Sequence, residues 1–332
     1  MSCAQDTTAI LSEKDTSVYY ISYIDSLTTR LLGVYKVNSL IYLPKDSEII
    51  AYLPNKPFNI GIGADYRWLG LNIAFNFPFI NNDNDRFGDT QFFDAQFNLY
   101  SRKFVADLFF QVTKGYYLNN PDDLIPDWDS DEPYLRPDLR VTALGVDWAY
   151  IFNHEKYSYR AAFTQNEWQL HSTGTPLLGG YLNSVHFDAD SSLIPFSVRP
   201  ELPDEANVEE GVFINLGISF GYAHSFVIKE HWFTNFSLVY GFGMNVSRTY
   251  LDLPEKTEEN YVSPHMKAIA RVALGYNSHK WYIGGSSVLQ LNTVPTYTAG
   301  SSLYLLGNFR INLVRRFNLN LKRKYLIPLI RL

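Results

Sequence analysis

A single cysteine, Cys3, stands in a chain of 332 residues, so no disulfide forms within the molecule. No apolar run reaches 18 residues, which excludes a membrane-spanning helix. Zinc-finger and phosphate-loop spacings are missing, as are internal sequence repeats and low-complexity tracts. A net charge of -6 supplies no global basic field, so nucleic acid is not expected as a partner. None of these absences excludes a membrane barrel, because its spanning strands show lipid only half their residues.

What is abundant is apolar and aromatic residues, 46% and 16% of the chain. They recur with a period of two. In Asn235 to Val246, "NFSLVYGFGMNV", the apolar set Phe236, Leu238, Tyr240, Phe242, Met244 and Val246 takes every second place, and small or polar residues fill most places between. Strands of soluble sheets average roughly 5 to 6 residues, and this alternation lasts about twice as long. Similar pairs meet at tight turns: 58–66 with 69–77, 91–100 with 103–113, 140–152 with 157–167, 212–227 with 231–248, and 265–277 with 281–292. Long connections separate them, above all 115–138, 168–210, 249–263 and 293–301. A final strand, 302–316, is expected to pair with a first one within 30–43.

Short turns at one end and long loops at the other give an all-β fold class: a transmembrane up-and-down antiparallel β-barrel of about 12 strands, with 10 or 14 as alternatives. The expected solvent of the apolar face is lipid. Both termini then fall on the short-turn, periplasmic side of a Gram-negative outer membrane. The expected organisation is a signal remnant and periplasmic segment over 1–29, the barrel over 30–316, and a basic and apolar periplasmic tail over 317–332. Ser2-Cys3-Ala4 before Gln5 fits the small-x-small end of an export signal, a lipidated Cys3, or an ordinary N-terminus. Trp148, Tyr150, Phe152, Tyr157, Tyr159, Trp232, Tyr276 and Trp281 flank tight turns, where an interfacial girdle would sit.

Three passages, "YLPNKPFNIGIGADYRWLGL" (52–71), "GDTQFFDAQFNLYSRKFVADLFFQVTKGYYL" (88–118) and "FTQNEWQLHSTGTPLLGG" (163–180), resemble a family of exported Bacteroidota proteins catalogued as domain of unknown function 4421. The resemblance implies an outer-membrane location and no established activity.

With the small and polar face turned inward, Asp94, Asp107 and Asp147 come from consecutive strands and Arg160, Arg271 and Arg310 from three others. All six are expected in one mid-depth lumen layer, acids on one arc and bases on the other. Such arcs either pair across the interior or impose a transverse field on a hydrated channel. The first functional reading is therefore a narrow or gated pore for small solutes or ions. The second is a non-conducting binding or scaffold barrel, acting on a protein partner through its acidic external loops or its C-terminal tail.

An outer-membrane hydrolase is a weaker third, resting on His171-Ser172-Thr173 beside Glu167. Asp127, Asp129 and Asp131 open like a calcium loop, but Glu132 replaces the required glycine and Asp138 the bidentate glutamate, which leaves weak external cation contacts at most. Outer-membrane lipid and lipopolysaccharide are the expected surroundings, and no cofactor is implied.

Overall fold

The computed structural model describes residues 18–44, 48–55, 58–66, 69–77, 83–125, 128, 131–255, 257–296 and 300–317. Among these residues the strands are β1 (Tyr20–Ser22), β2 (Leu27–Pro44), β3 (Ile50–Leu53), β4 (Asn59–Tyr66), β5 (Leu69–Asn76), β6 (Gln91–Tyr100), β7 (Phe104–Leu118) and β8 (Tyr134–Ile151). They continue as β9 (Glu167–Gln169), β10 (Thr173–Asp188), β11 (Val208–Ile228), β12 (Trp232–Leu251), β13 (Thr257–Asn277), β14 (Trp281–Thr296) and β15 (Gly300–Phe317).

All pairing is antiparallel, and β15 returns to β2 along the whole of both strands, Leu27 opposite Phe317 and Pro44 opposite Gly300. How many strands surround the lumen depends on height. Towards the long loops the ring closes through ten strands, because the short β3 bridges β2 and β7. Towards the tight turns β2 pairs instead with β4, β4 with β5, and β7 with β6, so twelve strands line that end. Among the described residues no pairing joins β5 to β6.

The alternation decides which way each side chain points. Along β12 the six apolar residues from Phe236 to Val246 are exposed, whereas Asn235, Ser237, Val239 and Asn245 are buried in the lumen. The exposed band from Trp232 to Val246 covers fourteen steps of about 3.3 Å; at a tilt of about 45° that is about 33 Å, a match for a bilayer core with part of its interfaces. An outer surface this apolar requires hydrocarbon as its solvent. Beyond the band the ladder continues as polar wall, with Arg248 facing Glu258 at 3.2 Å, so only residues 252–256 are left to join β12 and β13. The Lys229-Glu230 turn has φ of 50° and 64°, the left-handed pair that a tight hairpin demands. In β7 the glycine at 115, with φ 92°, carries a bulge that turns Tyr116 and Leu118 into the lumen.

Two sequence expectations are corrected. The wall strand expected over 157–167 is absent: a short helix, Tyr159–Phe163, folds inside the turn-end mouth, Glu167 only begins the short β9, and the seventh long strand is β10, which pairs β8 directly. The expected loop 168–210 therefore holds a 16-residue strand. Correspondingly, Tyr157 and Tyr159 are buried inside, while Trp148, Phe152, Trp232 and Trp281 remain on the outer surface near the turns.

Candidate functional site: the lumen and its side wall

At the turn end the wide twelve-strand mouth is filled from within. β1 lies across it, paired to β9. Ser158 caps the helix Tyr159–Phe163 by accepting from the Ala161 amide at 3.1 Å. Asn235 donates to the Tyr157 hydroxyl at 2.6 Å, and the Tyr159 hydroxyl meets Ser237 at 2.5 Å. Arginines fasten the plug to the wall: Arg30 donates to the Thr164 carbonyl at 3.2 Å, Arg102 to Glu167 at 2.6 Å, and Arg316 to the Gln165 carbonyl at 2.5 Å and Asn277 at 2.9 Å. Tyr23, bonded to His279 at 2.9 Å, is pushed up to about 12 by burial, against an opposing pull from Arg316.

Arg160 is thereby placed differently from the sequence expectation. It sits on the plug helix, donating to the Tyr100 carbonyl at 2.6 Å and reaching Glu167 at 3.4 Å, so it belongs to the mouth and not to the mid-depth layer. The other five expected residues do face the interior. Asp107 accepts from Arg271 at 2.6 Å, from Asn98 at 2.6 Å and from Tyr100 at 2.8 Å. Asp94 takes Lys36 at 2.5 Å and Asp147 takes Lys267, both bases outside the expected set. Arg310 donates to Gln96 at 3.1 Å.

Among the described residues only Asp107 and Arg271 pair across the two expected arcs; Asp94 and Asp147 are neutralised by the two lysines. The signal for Lys267 was present: His265, Lys267 and Arg271 share one parity on β13, with Ile269 interrupting the polar face. His265 meets the Tyr181 hydroxyl at 2.8 Å, and the Tyr181 ring lies so close to Gly217 and Gly241 that a Cβ at either place would clash at 2.4 and 2.6 Å. That close approach is what the small residues of the lumen face accomplish.

Above this layer Asn183, Asn215 and Asn245 form a ladder at 2.8 and 2.7 Å, and then the lumen turns apolar. Leu193, Ile194, Val198 and Ala206, from the segment between β10 and β11, are buried against Leu40, Tyr42, Tyr52, Val185, Phe187, Phe213 and Tyr304. The Tyr52 hydroxyl donates to the Leu193 carbonyl at 2.5 Å, and Arg136 to those of Ser192 and Ser191 at 2.9 and 3.0 Å. This segment packs inside the loop end as a lid.

The side wall is less complete. On β5 the consecutive residues Asn72, Ile73, Ala74 and Phe75 are all exposed, and so are Phe97, Asn98 and Leu99 on β6. Residues of both parities are exposed in these stretches because, among the described residues, each strand has a neighbour on one side only. Behind this seam lies a cavity of about 70 Å³, lined among others by Gln96, Asn98, Asp107, Arg271, Asn308 and Arg310.

Asp127 and Asp129 lie outside the described residues; the Asp131 carbonyl accepts from Arg86 at 3.3 Å. Among the described residues no group of three His, Cys, Asp or Glu could hold a metal ion. His171 stacks edge-on against Tyr19 at 5.5 Å, and Glu167 is committed to Arg102, Arg160 and the Ser158 hydroxyl, so the hydrolase constellation does not assemble around them.

A family model described as "Domain of unknown function (DUF4421)" matches residues 13–317. No curated protein matches the chain. Among solved structures, the outer membrane protease OmpT from Escherichia coli is 8% identical, with a TM-score of 0.39, over 90% of this chain and 98% of that one. The outer membrane protein OmpT of Vibrio cholerae is 9% identical, with a TM-score of 0.27, over 88% of this chain and 100% of that one. The toluene transporter TodX of Pseudomonas putida is 6% identical, with a TM-score of 0.26, over 89% and 90%. At such similarity no activity passes from these proteins to this chain.

Proposed function

We propose that this chain, which belongs to the DUF4421 family, is a non-enzymatic, gated outer-membrane barrel that admits a small solute through its side wall, with the turn end facing the periplasm. The seam between β5 and β6 carries the reading, because among the described residues no strand closes it and Asn98, on the lumen face of β6, is exposed beside a polar cavity. An unpaired strand edge at membrane depth is tolerated only where it lines protein or a watered cavity. The axial route has the weaker support: the lid, the paired charge layer and the plug stand one above another along it. In this scheme the plug is the gate towards the periplasm, and its arginine clasps are what opening has to break. The same filled axis favours a second reading, a non-conducting binding or scaffold barrel.

Proteoliposomes distinguish the two. With Cys3 replaced, Asn72→Cys and Asn98→Cys on the facing edges would be bridged by a short bis-maleimide. Side-wall entry predicts little axial conductance before bridging and a flux of membrane-partitioning solute that bridging abolishes. Equal flux after bridging would move the path to the axis. Absence of flux in every form would leave the scaffold. For orientation, a membrane-impermeant thiol reagent on intact cells should modify Glu255→Cys in the β12–β13 connection and spare Lys280→Cys at the β13–β14 turn; the reverse pattern inverts the barrel.

A further inference from the structure

The cavity behind the seam is built with a surplus of positive charge. Three of its lining residues are charged at neutral pH, Asp107, Arg271 and Arg310, and the first two are bonded to each other at 2.6 Å. Arg310 is left with the neutral Gln96, at 3.1 Å, and makes no ion pair among the described residues. The nearby acid Asp94 is already held by Lys36 at 2.5 Å. Counted over the mid-lumen, with histidine neutral, four bases (Lys36, Lys267, Arg271, Arg310) face three acids (Asp94, Asp107, Asp147), a remainder of +1. A charge held away from bulk water without a counter-charge is costly.

Two further groups await a partner in the same place. The Arg271 Nε and the Asn308 Oδ1 are buried without a hydrogen bond, and their residues are only 4% and 6% exposed. Arg271 already spends one nitrogen on Asp107, so its Nε offers a fixed, oriented donor. The Asn308 carboxamide can present either its oxygen or its nitrogen by turning over. The rest of the lining mixes neutral polar groups, Asn98, Tyr100, Ser286 and Gln290, with apolar ones, Phe109, Val288 and Leu306 on the strands and Phe163 on the plug.

We infer that this cavity is a binding site for a carboxylate, seated between Arg310 and the Arg271 Nε with its apolar neck against Phe109 and Phe163. A single negative charge balances the remainder of +1, whereas a phosphate dianion would overshoot it. At about 70 Å³ the space holds a carboxylate with a few carbons, given that one water takes roughly 10 to 15 Å³ in the same measure. Any longer chain has to lie in the seam, where Ile73, Phe75, Phe97 and Leu99 present exposed apolar side chains. The site rests on the lumen geometry; the arrival of the carboxylate as a membrane-borne amphiphile rests on the side-wall reading above, and the two are tested separately.

The experiment is equilibrium dialysis of radiolabelled dodecanoate against the full chain in nanodiscs, with nanodiscs lacking protein as the blank. Saturable binding is expected, weakened about tenfold or more by Arg310→Gln, as befits the loss of a charge-assisted contact, and largely restored by Arg310→Lys. Arg315→Gln, on the exposed face of the same strand, should change nothing. Dodecanol should compete at least about tenfold less well than dodecanoate.

Equal binding by wild type and Arg310→Gln, equal competition by the alcohol, or no saturable binding at all would overturn the site. Heat-modifiable migration in gels checks that each variant is folded. Competition by butyrate as strong as that by dodecanoate would uphold the carboxylate site and assign it to a free solute, overturning only the membrane route.

Discussion

Two stretches of the same wall, β10–β13 and β4–β6, obey one inward and outward parity, yet the first runs in strands of 16, 21, 20 and 21 residues and the second in strands of 8, 8 and 10. In the long stretch each strand is bonded on both edges and its lumen face is buried, as at Asn215, Asn235, Asn245 and His265. In the short one, among the described residues, β5 and β6 each lack a partner on one edge, and exposed side chains occur on both parities, as at Asn72, Ile73, Asn98 and Leu99. Side-chain parity alone does not seal a barrel. Edge pairing does, because it turns a two-faced strand into a one-faced wall.

The comparison breaks first at the buried ion pairs. Lys267→Met removes one partner of the Lys267–Asp147 pair deep behind the complete wall, and should destabilise the barrel by about 3 to 5 kcal/mol, read as loss of heat-resistant folding. The equivalent change at the pair that reaches Asp94 of β6 from β2, Lys36→Met, should cost less, since the Lys36 side chain is 23% exposed against 1% for Lys267 and Asp94 keeps Gln111 at 3.0 Å. Equal losses would show that the seam is as dry as the wall.

Next comes the lipid face. Leu238→Arg on β12 should cost about 2 to 4 kcal/mol near the bilayer midplane, measured by refolding into vesicles. Phe97→Arg on β6 should cost less, because its guanidinium can reach round an unpaired edge towards the polar cavity. A third measurement is finer. The double-mutant cycle of Asp107→Asn and Arg271→Gln should show a coupling of about 0.5 to 3 kcal/mol, whereas Asp107→Asn with Arg160→Gln, which meet only through Tyr100, should couple more weakly. Coupling in the second pair alone would return Arg160 to the mid-depth layer.

The parity of the strands and the identity of most hairpins were legible in the sequence because lipid and lumen impose opposite polarity on alternate residues. Legibility failed wherever the lumen is itself apolar or crowded. Residues Leu40 to Leu43 of β2 read as a continuous apolar run because Leu40 and Tyr42 face the lid while Ile41 and Leu43 face outward. The segment from Tyr157 to Phe163 imitates a strand, since a plug that buries Tyr157, Tyr159 and Ala161 repeats the pattern of a girdle. Conversely, β10 hides its strand character behind Pro176 and the Gly179-Gly180 pair, and a Cβ at Gly179 would meet the Trp148 carbonyl at 1.8 Å. Among the site residues, Arg271 and Arg310 lie on the small and polar parity of their strands, whereas Lys36 sits between the apolar Tyr35 and Val37, a pattern shared by side chains that snorkel from a lipid face.

Arg30 and Arg316 belong to the first and last long strands of the ring, β2 and β15, and each grips a carbonyl of the plug, Thr164 and Gln165, which are neighbours in the chain. The plug therefore acts as a strap buckled across the junction where the two ends of the chain meet. A slip of that junction by two residues would keep every side chain on its proper face and still leave one buckle open. The strap thus checks registration, which alternation cannot, and it makes closing the ring and seating the plug a single cooperative event, late in folding.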